Sequence, residues 1–141
     1  MNTDAGIVHL SSSRSPVATI DRVEELARAR GLVIFARIDF AHDAAAVGLR
    51  LRPMVQLVFG NPRAGTPLLA SHPTLGLELP LRALAWEDEA GRSWLSYLAP
   101  DRLAERHGVP RELQASIAGI AALCREAASQ EPTGSRAGDS S

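Results

Sequence analysis

The chain has 141 residues, 45% of them hydrophobic and 22% charged, with a formal net charge of -1. That length suits one domain with its own core, held without disulfide or metal staples. The near-neutral charge excludes a general nucleic-acid binder, which needs an excess of cations against phosphate.

Residues 1–6 read as an N-terminal tail, and residues 7–10 as a first short strand. Ser15-Pro16 then opens a helix, since serine can cap and proline is tolerated at the first helical position. Val17, Ile20, Val23, Leu26 and Ala27 recur at helical spacing, and Gly31 ends the helix. Residues 32–40 read as a strand, with Ile34, Ala36, Ile38 and Phe40 on one face and Val33, Phe35, Arg37 and Asp39 on the other. Arg37 and Asp39 are expected to pair. A short helix over residues 41–47 ends at Gly48.

Residues 54–59 form the next strand, broken by Gly60-Asn61-Pro62. A loop then leads to a short helix starting at Thr66-Pro67. Residues 77–88 read as a strand with Leu77, Leu79, Leu81, Ala83 and Ala85 on one face; Pro80 suggests an edge position or a bulge. Glu89-Ala90-Gly91 turns the chain into a partner strand over residues 92–98, which brings Trp86 and Trp94 close across the hairpin. Pro100 opens a helix closed by Gly108. Pro110 opens a longer one with Leu113, Ile117, Ile120, Ala121 and Cys124 as its stripe. Residues 130–141 read as a disordered polar tail. The expected class is α+β: one domain over residues 7–129, a curved, largely antiparallel sheet with helices packed on one face.

All 15 basic residues are arginine. That usage reads as compositional bias, and it excludes Schiff-base lysine chemistry. The single cysteine, Cys124, excludes an intramolecular disulfide and suits a reducing compartment. No apolar run approaches the roughly 18 residues of a membrane span, and no signal peptide is evident. The expectation is a cytoplasmic protein without membrane or nucleic-acid partners.

The run Phe59-Gly60-Asn61-Pro62-Arg63-Ala64-Gly65-Thr66-Pro67-Leu68 resembles the bacterial and archaeal domain of unknown function 302 family. The likeness continues through Leu79-Pro80-Leu81-Arg82-Ala83-Leu84, Trp86-Glu87-Asp88 and Trp94-Leu95-Ser96-Tyr97. It includes Arg37-Ile38-Asp39, Gly48-Leu49-Arg50-Leu51-Arg52-Pro53 and Arg106-His107-Gly108. It spans roughly residues 7–129. The resemblance implies a TATA-binding-protein-like α+β fold and a homodimer, with no established activity. Open sheet edges, which need covering, also favour a dimer. Two positions depart from the family pattern: Phe40 stands where relatives usually carry histidine, and Leu69 where they often carry methionine. A metal or haem held by those groups in relatives would lose its ligands here, so no metal or cofactor is expected.

The candidate site is the loop at residues 60–67. Its glycines, Gly60 and Gly65, allow close backbone approach. Thr66 is placed to cap the following helix, whose free N–H groups with Arg63 suit an anion. The same sequence reads more readily as an ordinary capped turn, and it lacks the Gly-Lys-Ser/Thr of a phosphate-binding P-loop. The first functional reading is a non-enzymatic module that binds a small anionic or amphipathic ligand. Asn61, Arg63, Gly65 and Thr66 would orient the ligand, and Trp86, Trp94 or Tyr97 would supply apolar contact. The alternatives are an enzyme using Arg37, Asp39, Glu87 or Tyr97, and a homodimeric assembly module with no small ligand. His9, His42, His72 and His107 show no metal-ligand spacing.

Overall fold

The computed structural model describes residues 3–129. The C-terminal tail expected over residues 130–141 lies outside the described residues. The elements run β1 (Thr3–Asp4), β2 (Ile7–Ser12), α1 (Pro16–Ala29), β3 (Val33–Asp39), α2 (Phe40–Ala46) and β4 (Met54–Gly60). They continue with α3 (Pro62–Ser71), β5 (Leu81–Glu87), β6 (Ser93–Leu98), α4 (Pro100–Arg106) and α5 (Ala115–Ala128), and single 3-10 turns at Pro73–Leu77 and Arg111–Leu113. The six strands form one sheet in the order β1-β2-β6-β5-β4-β3. Every pairing is antiparallel. The fold is therefore α+β, as the hydrophobic patterning predicts.

The residues expected to form an N-terminal tail instead begin the sheet. Thr3 pairs with Val8 and Asp4 with Ile7. The two residues between them, Ala5 and Gly6, have φ of 54° and 84°. Positive φ at both central positions matches the right-handed twist of a tight hairpin.

Helix α1 starts as its sequence dictates. The Ser15 side chain accepts from the Ala18 N–H, and Pro16 stands at the first helical position. Its buried face is Thr19, Ile20, Val23, Leu26 and Ala27, while Val17 is exposed. Thr19 is fully buried without polar cost: its hydroxyl bonds Ser12 Oγ at 2.7 Å and the Ser15 carbonyl at 2.8 Å. Helices α1 and α5 pack on each other and on one face of the sheet. There they cover Val55, Leu57, Phe59, Ala83, Ala85 and Leu95. A second cluster gathers Leu68, Leu75, Leu103, Ala104, Val109 and Ile117 around α3, α4 and α5.

Strand β3 departs from simple alternation. Ile34 pairs with Phe59 and Ala36 with Val58, which leaves Phe35 as the extra residue of a β-bulge. Beyond the bulge the faces are exchanged. Arg37 pairs with the buried Leu57 and reaches α1, whereas Ile38 pairs with Gln56 on the opposite side. The expected common face of Ile34, Ala36 and Ile38 is broken for that reason.

Two other boundaries move. The strand expected from residue 77 begins at Leu81, because Pro73–Leu77 is a 3-10 turn. Pro80 precedes β5, which lies in the sheet interior rather than at an edge. The helix expected from Pro110 is split: Arg111–Leu113 form a separate turn, and Leu113 is exposed.

Candidate functional site

The segment read as a loop is mostly helix. Asn61 is the cap of α3, its side chain accepting from the Arg63 N–H at 3.0 Å, and Pro62 takes the first helical position. Thr66 and Pro67 lie inside the helix, so Thr66 caps nothing. This start leaves no free backbone N–H for an anion. Pro62 has no N–H, Arg63 is bonded to the Asn61 side chain, and the Ala64 and Gly65 N–H groups both bond the Asn61 carbonyl, at 3.0 and 2.7 Å.

What this segment does build is a cavity of about 270 Å³ between α3, the approach to β5 and the start of α5. Its walls are Phe35, Leu69, Leu79, Pro80, Leu81 and Ile117, with the Gly60 and Gly65 backbone between them. The polar residues among its lining are Asn61, Thr66 and Ser116. Phe35 is placed there by the bulge and is 50% exposed. A β-carbon at Gly60 would lie 3.7 Å from the Phe35 ring and 3.6 Å from Pro80 Cβ, so glycine leaves the slot between them open.

The structure brings Asn61, Gly65 and Thr66 to this cavity and leaves the other expected site residues elsewhere. Arg63 does not line it. Arg37 pairs with Asp21 at 2.8 Å and Glu24 at 3.1 Å, not with Asp39. Asp39 instead caps α2, accepting from the His42 N–H at 2.9 Å. Tyr97 is 6% exposed beneath α5, where burial pushes its phenol pKa up. Burial likewise pushes the nearby Cys124 thiol up to about 12, so it is inert packing rather than a nucleophile. Asp39 on β3 and Glu87 on β5 have β4 between them and form no acid–base pair.

The tryptophans do meet, but on the sheet face opposite the helices. Trp86 and Trp94 are register partners with ring centroids 6.4 Å apart. Trp86 Nε1 donates to Ser96 Oγ at 2.9 Å, and His9 Nδ1 lies 2.6 Å from the same oxygen. Trp94 Nε1 donates to Asp88 at 2.9 Å, the main reason the Asp88 carboxyl is held below its usual range. Strand alternation carries both rings away from the cavity.

Two features escaped the sequence reading. The spacing of Leu79, Leu81 and Ile117 predicts core positions, and nothing in it marks a cavity. Glu78, Thr74 and His107 also come together. His107 Nε2 bonds the Glu78 carboxylate, and His107 Nδ1 bonds Thr74 Oγ1 at 2.9 Å. That chain ties the 3-10 turn to the end of α4. The two departures from the family pattern are separated too. Val33, at the start of β3, pairs with Gly60, just before the helix that carries Leu69; Asp39 at its far end precedes Phe40. Among the described residues, no group of three or more His, Cys, Asp or Glu side chains could hold a metal.

Comparison with known proteins agrees with this architecture. A crystal structure of an uncharacterized conserved DUF302 protein from Bacillus stearothermophilus superposes with a TM-score of 0.75 at 22% identity, covering 88% of this chain and 98% of that one. The fluoride-specific ion channel FluC 1 of Brucella suis is 43% identical over 106 residues, 75% of this chain and 42% of its own length. The FluC 1 protein of Brucella abortus matches to the same extent over 39% of its length. The chain thus spans about two fifths of these relatives. Among the described residues no helix is long and apolar enough to cross a membrane. Residues 8–127 match the family described as domain of unknown function DUF302, and the chain belongs to that family.

Proposed function

We propose that the chain is a non-enzymatic binding module for a small amphipathic ligand held in the cavity beside α3. The observation that carries this reading is the lining itself. A mostly apolar cavity with a few hydrogen-bonding groups is the usual form of a small-molecule site. The scattering of Arg37, Asp39, Glu87 and Tyr97 weighs against acid–base chemistry, which needs such groups within reach of one another. The spent N–H groups of α3 favour the amphipathic ligand over the purely anionic one. The test is a thermal shift with eight-carbon amphiphiles, since a ligand selective for the folded state raises Tm by mass action. Wild type should respond, and Leu69→Phe, which fills the cavity, should not. No shift in wild type would reject the reading.

A second reading is favoured by the channel relatives. The matched part is under half of their length, and this chain has no spanning helix among its described residues. On this reading the chain is a companion domain to an ion channel. Co-expression with a fluoride channel should then give a complex that survives size-exclusion chromatography in detergent; separate elution would count against it.

A further inference from the structure

Resting on the ligand-binding reading, we infer that the cavity takes an amphiphile whose polar end is uncharged, and that Phe35 controls what enters. The volume of about 270 Å³ lies just below the usual range of small-molecule sites, roughly 300–1,000 Å³, so it suits a small ligand with a short alkyl chain. No charged side chain lines the space. A carboxylate or ammonium entering it would shed hydration and meet no opposite charge, a loss that only pairing can offset. The start of α3 offers an anion no relief, because its N–H groups are all engaged within the cap.

The polar atoms present are suited to a neutral end group. The Thr66 and Ser116 hydroxyls each donate and accept, and the Asn61 amide nitrogen donates while its oxygen is held by Arg63 N–H. Such a set pairs with an alcohol, amide or ester without desolvating any ion.

Phe35 earns its role from two independent facts. It is the inserted residue of the bulge, a device that re-aims a side chain. It also stands half exposed across an open slot from Pro80, kept open by Gly60. A ring in that position gains burial when an apolar chain slides beneath it.

Amide chemical shifts of Gly60 and Gly65 in the full chain, titrated with 1-octanol, octanoate and octylammonium near pH 7, test both parts. The alcohol should give saturable shifts, and each ion should bind at least about tenfold more weakly. Phe35→Ala removes a half-exposed side chain, so the fold should stand, and octanol should bind about tenfold more weakly. Gly60→Ala, which keeps the ring and narrows the slot, should weaken octanol as well. Either ion binding as tightly as the alcohol overturns the uncharged end group. Unchanged octanol affinity in Phe35→Ala overturns the entry role. If none of the three probes moves either glycine, the ligand-binding reading itself falls.

Discussion

The two apolar clusters are closed in different ways. Beneath α1 and α5, Ile20, Val23, Leu57, Ala83 and Leu95 are all at 0% exposure, and helix faces meet the sheet directly. In the smaller cluster Leu75 and Ala104 are as deeply buried, but the outer members Leu69, Leu79 and Leu81 wall the cavity. The cause lies in what α3 rests on. It packs chiefly on α5 and the 3-10 turn at Pro73–Leu77 rather than lying flat on the strands. The larger cluster therefore holds the fold, and the smaller leaves room.

Truncation would sharpen that contrast most. Leu57→Ala should lower the free energy of unfolding by about 3 kcal/mol, the usual cost of an emptied core leucine. Leu69→Ala should cost less than about 2 kcal/mol, because its side chain already borders empty space. Equal losses in urea melts would erase the distinction between the clusters.

Next in size is the start of α3. Asn61→Ala should cost about 1 kcal/mol as a lost cap. Thr66→Ala, inside the helix and exposed, should stay within about 0.5 kcal/mol. The reverse ranking would return the helix start to Thr66.

The smallest effect is electrostatic and belongs to the α1 side. Arg28 first, then Arg37, holds the Glu24 carboxyl below its ordinary value of 4.5, against the opposing pull of burial. A carboxylate lowered by folding stabilises the native state above the unfolded value, and that contribution is lost as pH falls through the folded one. Glu24→Gln should therefore remove a few tenths of a kcal/mol at about pH 6 and almost nothing at about pH 3, as befits a surface pair. Denaturant melts at the two pH values would show it. A loss that grows toward acid would have the wrong sign.

Much of the fold was legible because its signals are local. Ser15-Pro16 marks a helix start, and Gly31, Gly48, Gly91 and Gly108 all have positive φ where the chain was expected to stop or turn. The hairpin that stacks Trp86 on Trp94 follows from Gly91 and strand alternation. Asn61-Pro62 repeats the logic of Ser15-Pro16 and was legible too, but Gly65 and Pro67 obscured it. They are poor helix formers, and α3 tolerates both. The bulge at Phe35 could not be read, since it exists only in the pairing of two residues against one on β4. The partners of Arg37 and the outline of the cavity depend on that same three-dimensional pairing. At the cavity, local sequence singles out Asn61, Gly65 and Thr66, though for an anion-binding turn, and it does not mark the apolar wall.

The stacked rings on the sheet face opposite α1 and α5 have an optical consequence. Trp86 and Trp94 are the chain's two tryptophans, so its ultraviolet emission originates on β5 and β6 alone. Two indoles at 6.4 Å and 27° to each other are coupled chromophores. Their far-ultraviolet circular dichroism should carry a signed exciton couplet that vanishes when the hairpin opens. Filling the cavity on the other side of the sheet touches neither ring. Occupancy is thus dark to tryptophan light, while loss of the sheet is bright.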